Sequence, residues 1–168
     1  LASVEQDFAV DSSGFSTTRF ARYYSFKHGR DLRYRQWIKA HVASGVKTNI
    51  VTGVEITEET GADSPQFKPL VERTAENFTI REVSADKAYS SRDNLDLVGD
   101  QGGTAFIPFK SNATGKAKGS AIWKKMFHYF QLNREEFLEH YHKRSNSETV
   151  FHMIKSKFGD AVRSKEKI

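Results

Sequence analysis

The chain of 168 residues has no cysteine and only three prolines, and none of its apolar runs approaches the about 18 residues expected of a membrane-spanning helix. Each absence removes a class of explanation. Without cysteine there can be no disulfide, no thiolate zinc site and no cysteine nucleophile, a composition that suits a reducing cytoplasm. Few prolines beside 13 Phe, 6 Tyr and 2 Trp argue against long disordered stretches and for a packed core. At this length a single domain over 1–168 is expected, burying roughly 70% of the surface its unfolded form exposes. No basic-then-apolar leader opens the chain. The reading is of a soluble, cytoplasmic protein without membrane association. Because the first residue is Leu1, we read the chain as processed or as a piece of something longer.

The net charge of +5 is modest, but it is unevenly distributed. The stretches 1–18 and 48–109 are acidic, whereas 19–47 and 110–168 are basic. Such alternation suits a protein that draws a polyanion over part of its surface and gathers carboxylates elsewhere. A solvated surface of uneven charge is the plainer alternative.

Local patterning predicts the elements. Asp7-Phe-Ala-Val-Asp11 alternates apolar and polar residues and meets Ser12-Ser13-Gly14, a turn signal, so Asp11 is expected at a strand end. Arg35 to Val42 and Thr48 to Thr57 read as an antiparallel pair separated at Ser44-Gly45. Asp63 or Ser64 can cap a helix that begins at Pro65 and runs to about Glu76. Phe78 to Ala85 is β-prone and ends at Asp86. A second helix, capped by Ser90 or Ser91, carries Leu95, Leu97 and Val98 and stops near Gly102-Gly103. Thr104 to Pro108 is a short strand. Three strands, then helix, strand, helix, strand is the order of a ribonuclease-H-like mixed α/β sheet of five strands flanked by helices.

Beyond Phe109, residues 110–119 read as a mobile basic loop, and 110–145 as a whole as that loop plus a short helical insertion. One helix presents Ile122, Met126, Phe127 and Phe130. Asn133 can cap another, carrying Phe137, Leu138 and Tyr141. The last helix carries Val150, Phe151, Ile154 and Phe158 and ends at Gly159. The histidines, His28, His41, His128, His140, His142 and His152, form no zinc pattern and read as surface or packing residues. Phe127, Tyr129 and Phe130 could stack on bases, but core packing accounts for them better.

Three acids carry the chemical interest. Asp11 and Asp86 are predicted at the carboxyl ends of strands, the edge at which open α/β sheets bind ligands. If those strands are neighbours, the two carboxylates converge. Glu148, on the last helix, lies seven residues before Lys155, about 20° short of two full turns, so the two share a face. Carboxylates from separate segments are a usual way to hold Mg²⁺ over a phosphodiester. Plainer readings exist for each acid. Ser145-x-x-Glu148 can be a capping box that starts the helix at Ser145, Arg144 can be a simple ion-pair partner of Glu148, and an Asp at a strand end is often a turn former.

The segment Tyr141-x2-Arg144-x3-Glu148-x6-Lys155 matches, in every spacing, the YREK signature of DDE transposases from bacterial insertion sequences, and the chain resembles that family from about Phe8 to Gly159. Ser84-Ala-Asp86-Lys-Ala-Tyr89 is similar to the family's second-aspartate motif, and Val10-Asp11-Ser-Ser to its first. Trp37-Ile-Lys39-Ala-His41-Val resembles its second strand, and Ala62-Asp63-Ser64 the turn before its first helix. The resemblance implies that Asp11, Asp86 and Glu148 are catalytic and bind two Mg²⁺ or Mn²⁺ ions. It implies that Tyr141, Arg144 and Lys155 contact DNA, with Lys87, Lys116 and Lys118 as weaker candidates. The implied partner is double-stranded DNA, both transposon ends and target, cut and joined by a dimer in the active complex near the nucleoid. Only ten residues precede Asp11, whereas relatives carry a helical DNA-binding region there, so a catalytic core without its end-recognition module is expected. Two alternatives are a transposase-derived DNA-binding protein that no longer cuts and a ribonuclease-H-like nuclease acting on RNA–DNA hybrids.

Overall fold

The computed structural model describes residues 2–17 and 37–162. In chain order its elements are β1 (Asp7–Ser16), β2 (Trp37–Gly45), β3 (Val51–Glu58), α1 (Ser64–Ala75), β4 (Glu82–Ala85), α2 (Arg92–Asp100), β5 (Thr104–Phe106), α3 (Ala121–Leu132), α4 (Arg134–Tyr141) and α5 (Ser145–Phe158). Short 3₁₀ turns occupy Lys87–Tyr89 and His142–Arg144. Predicted Arg35 and the reading of His28 lie outside the described residues.

The strands form one mixed sheet in the order β3-β2-β1-β4-β5. β2 runs antiparallel to both β1 and β3, and β4 is parallel to both β1 and β5. This is the five-stranded ribonuclease-H-like arrangement that the element order predicts. Alternation along β1 sends Phe8 and Val10 into the main core, with Phe67, Leu70, Tyr89, Leu95, Val98, Trp123 and Phe137. On the opposite face Val42 meets Val150 and Phe151 of α5, with Phe15, Ala40 and Ile154 at the margin. The sheet is therefore covered on both faces. Among the described residues no helix is long and apolar enough to cross a membrane.

Several boundaries differ from the sequence expectation, each for a tertiary reason. Ser12-Ser13-Gly14 is not a turn: β1 continues to Ser16 because it pairs with β2 from Phe8↔Gly45 down to Ser16↔Trp37. Its far end is tied again by the Ser16 amide donating to the Asp160 carbonyl and the Val162 amide to the Ser16 carbonyl. Ser44 and Gly45 close β2 rather than turning, and the chain reverses instead over 46–50, with Asn49 at φ 55°. Gly45 is required there, since a Cβ would stand 2.5 Å from Glu5 Oε2. That buried carboxylate accepts from the Lys47 and Thr48 amides and fixes the reversal. β4 is four residues long, shorter than the β-prone run from Phe78. The 110–119 loop is held, not loose: Arg92 donates to the carbonyls of Lys116 and Ala117, and Trp123 Nε1 to that of Thr114.

Helix signals fared better. Ser91 caps α2 through the Asn94 amide, and Ser120 caps α3 through that of Trp123. Pro65 sits in the first turn of α1, as its fixed φ favours. Phe158 is the exception on α5: it is 74% exposed, because the apolar stripe facing the sheet ends at Ile154.

Candidate functional site

The parallel β1–β4 ladder ends at the pair Val10↔Ala85. Asp11 and Asp86 are the next residue on each strand, so two adjacent strands deliver one carboxylate each to the same edge. Asp86 leaves β4 and accepts from the Lys87 amide at 2.6 Å, capping the 3₁₀ turn. Asp11 stays within β1, where β2 still pairs with it, and its side chain points to the α5 face. Its Oδ1 accepts from the Ser12 amide at 2.9 Å.

The capping-box alternative at Ser145 does not hold. Residues 141–145 are all in the right-handed helical region, so α4, the 3₁₀ turn and α5 run on without a break, and Ser145 makes no side-chain cap. Continuity brings Tyr141 and Arg144 into phase with Glu148. Arg144 then joins two acids: Nη1 donates to Asp11 Oδ2 at 2.8 Å and Nη2 to Glu148 Oε1 at 3.0 Å. Its guanidinium also lies 5.8 Å from the Tyr141 ring centre. Burial alone would weaken this charge, but Asp11, Tyr141 and Glu148 together outweigh it and hold the pKa above its ordinary value. Lys155, two turns beyond Glu148, donates to Ser13 Oγ at 2.7 Å and lies 5.0 Å from the Phe15 ring, on the same edge of β1.

Asp11 is the strained member. Burial pushes its carboxyl above the usual range, and the neighbouring Asp86 adds to this. The Ser12 amide, Arg144 and Ser147 pull the other way without cancelling it. Asp11 is thus a buried carboxyl whose nearby donors do not offset its burial.

Among the described residues, no three His, Asp or Glu side chains are gathered tightly enough to hold a metal ion. The Glu148 side chain is 63% exposed and bonds Arg144. The Asp11–Asp86 pair still fits a hard divalent cation: it offers carboxylate oxygens at a common edge, and its raised Asp11 is what an added cation would relieve.

Sequence reasoning missed Ser147. This buried side chain donates to the Arg144 carbonyl at 2.6 Å and sits 3.2 Å from Asp11 Oδ2, pinning the start of α5 to β1. The spacing of three residues from Arg144, typical of local hydroxyl-to-backbone bonds, was its only signal. Asn146 supports the same end by donating to the Val46 carbonyl. The Lys87 side chain is exposed beside Asp86, and Lys116 and Lys118 lie on the loop tied by Arg92. His140 stacks on Phe106 with ring centres 4.3 Å apart, a packing residue as expected. Phe130 is buried and Phe127 and Tyr129 pack against Phe109 and Phe106, so none of the three is displayed for bases.

A five-stranded mixed sheet with one acid on a strand and another just past the neighbouring strand, and a helix carrying a third across one face, has the architecture of a ribonuclease-H-like domain. The chain belongs, more particularly, to the transposase DDE domain family, whose model matches residues 2–168. It is 28% identical over 164 residues to a probable transposase for insertion sequence element ISA1214 of Archaeoglobus fulgidus, covering 96% of this chain and 48% of that protein. The chain thus spans about half the length of the curated relative it matches. A chain in the cryoEM structure of the simian T-cell lymphotropic virus intasome in complex with PP2A regulatory subunit B56 gamma superposes with a TM-score of 0.41 at 12% identity. That likeness covers 82% of this chain and 47% of the other.

Proposed function

We propose that this chain is the catalytic domain of a transposase that cuts transposon-end DNA and transfers the cut strand, with Asp11, Asp86 and Glu148 holding two Mg²⁺ or Mn²⁺ ions. The observation that carries the reading is the register of β1 and β4, which puts Asp11 and Asp86 side by side with Arg144 linking Asp11 to Glu148. When bound, the ions would activate a water or 3′-hydroxyl and stabilise the leaving oxygen at phosphorus. The exposure of Glu148 leaves its carboxylate room to turn from Arg144 toward the aspartates. Arg144, once released from Glu148, presents a fork suited to a phosphate. Lys155 and Tyr141 flank the same edge and would hold the DNA backbone in register, contacts that position without reading sequence. The active complex on this reading is a dimer acting on double-stranded DNA.

The test is cleavage of a labelled transposon-end duplex with and without Mn²⁺, comparing the wild type with Glu148→Gln. Metal-dependent nicking that disappears in the variant is expected. Nicking that survives Glu148→Gln, or that needs no metal, removes the proposal.

A further inference from the structure

On the face of the sheet opposite the Asp11 side chain lies a buried polar knot that the cutting chemistry does not use. Its hub is Asp63, the residue before α1. An Asp at that position ordinarily accepts from the first amides of the helix, yet this one makes no cap bond. Its Oδ1 instead accepts from Lys39 Nζ at 2.6 Å and Ser12 Oγ at 3.2 Å, and faces His41 Nδ1 at 3.3 Å. His41 is wholly buried. Its Nε2 lies 3.0 Å from Thr57 Oγ1 and its Nδ1 3.3 Å from the Tyr89 hydroxyl.

Both arms of the knot end beside a catalytic candidate. Ser12 gives its hydroxyl to Asp63 and its amide to Asp11 Oδ1, so one residue is pinned on both faces of β1. Tyr89 closes the 3₁₀ turn that Asp86 opens, with its amide on the Asp86 carbonyl at 2.9 Å. Asn94 Nδ2 holds the Tyr89 carbonyl at 2.7 Å. Burial keeps His41 below its ordinary pKa, which favours a neutral ring, and burial with the charge of Asp63 lifts the Tyr89 hydroxyl well above its own. A satisfied buried network of this kind rigidifies the backbone that carries it.

We propose that Asp63 is a positioning residue for the cutting centre: through Ser12 and through the His41–Tyr89 pair it fixes the two neighbouring backbone segments from which Asp11 and Asp86 reach a shared cation. The inference rests on the proposed function for its metal and on the hydrogen bonds alone for its positioning.

The experiment compares the wild-type chain with Asp63→Ala, Asp63→Asn and Ser12→Ala. Amide resonances and hydrogen exchange of Ser12 and Lys87 are recorded without metal, Mn²⁺ affinity is measured by calorimetry with Asp86→Asn as the control, and urea unfolding is followed throughout. Asp63→Ala should shift both amides, speed their exchange, and weaken Mn²⁺ binding by about 10-fold or more, the usual cost of removing a partner that orients a ligand. Asp63→Asn keeps an oxygen for Ser12 and should stay within about 3-fold of wild type, a rescue that a purely stabilising role would not produce. Should Asp63→Ala fail to fold, Ser12→Ala decides, with a several-fold loss expected. Unmoved amides, or unchanged affinity in Asp63→Ala or Ser12→Ala, overturns the proposal. If the wild type itself binds no Mn²⁺, the cutting reading fails, and the amide comparison still decides the positioning.

Discussion

Two aspartates on one face of one strand, four residues apart, have opposite electrostatic fates. At the start of β1, Asp7 is 4% exposed, and burial alone would raise its pKa. Arg81 grips both its oxygens at 2.8 and 2.6 Å, Lys143 adds a bond at 3.1 Å, and together they hold the carboxyl below its ordinary value. Lys143 also reaches Glu82 at 2.6 Å, and His140 faces the same carboxylate at 2.9 Å. Toward the middle of the strand, burial raises the pKa of Asp11, Asp86 adds to this, and its one guanidinium, shared with Glu148, does not offset it. The same residue type is clamped by two cations at one end and held by one shared cation and two neutral donors at the other. Burial is the largest influence on both carboxyls; at Asp7 the cations of Arg81 and Lys143 outweigh it, and at Asp11 the Ser12 amide, Arg144 and Ser147 do not.

The largest expected effect breaks the functional end. Asp86→Asn should lower metal-dependent nicking by about 10³-fold or more, as for removal of a group that acts as part of one catalytic unit. Its unfolding midpoint in urea should not fall, because the substitution relieves repulsion with Asp11. A variant that cuts normally would dissolve the contrast between the two ends.

Next in size is the structural end. Asp7→Asn leaves Lys143 and Arg81 without their carboxylate and should cost about 2 kcal/mol of stability, short of the full penalty for a buried pair because Arg81 reaches solvent. In thermal unfolding this is a fall of about 4–8 °C. Metal affinity should be unchanged. Asp11→Asn should do the reverse, abolishing nicking while leaving stability level or raising it by no more than about 1 kcal/mol.

The pH dependence sharpens the same comparison. The folded pKa of Asp7 is lowered, so its stabilisation is complete above the unfolded value of 3.8 and is lost as pH falls through the lower folded value. The folded pKa of Asp11 is raised, so its contribution is complete below 3.8 and is lost as pH rises through the folded value. Urea midpoints measured between about pH 3 and 7 should therefore show a gap between wild type and Asp7→Asn that narrows on acidification. Any advantage of Asp11→Asn over wild type should likewise be greatest at neutral pH and vanish in acid. His41, buried and with a lowered pKa, adds a loss of wild-type stability as pH falls below its ordinary value of 6.5.

Much of this molecule is legible in its sequence because local chemistry and global fold agree there. Ser91 and Pro65 announce helix starts that the structure uses, and the succession of patterns gives the chain order of strands and helices. What was misread is what distant partners decide. Ser12-Ser13-Gly14 has every local mark of a turn, yet pairing with β2 carries the strand through it. Ser145 and Glu148 have the spacing of a capping box, but the helical run begins earlier and Glu148 faces Arg144 instead. That Asp11 and Asp86 fall at neighbouring strands was readable from the element order; Arg144 as a bridge between Asp11 and Glu148 was not, since no periodicity encodes a contact 133 residues apart. Asp63 shows the same limit. Its sequence signal is that of a helix cap, and only the strand across from it reveals a carboxylate committed to Lys39, Ser12 and His41.

The smallest effect concerns two lysines that repeat the contrast of the two aspartates. Lys143 spans Asp7 and Glu82, whose hydrogen bonds outweigh burial and raise its pKa, so its charge is consumed inside the protein. Lys155 has the hydroxyl of Ser13 and the ring of Phe15 as neighbours, contacts that orient an ammonium without neutralising it. A cation of the second kind is the one able to meet a phosphate. Lys143→Ala should accordingly cost about 1 kcal/mol of stability, a partly exposed pair being worth no more, and leave the salt dependence of DNA binding as it was. Lys155→Ala should hardly change the unfolding midpoint but weaken duplex binding a few-fold across sequences, reducing the slope of log affinity against log salt by about 1. Fluorescence anisotropy over a salt series measures both slopes. Equal slopes for the two variants would mean that Lys155 is as internally committed as Lys143, and that the DNA-facing edge lies elsewhere than along Ser13 and Phe15.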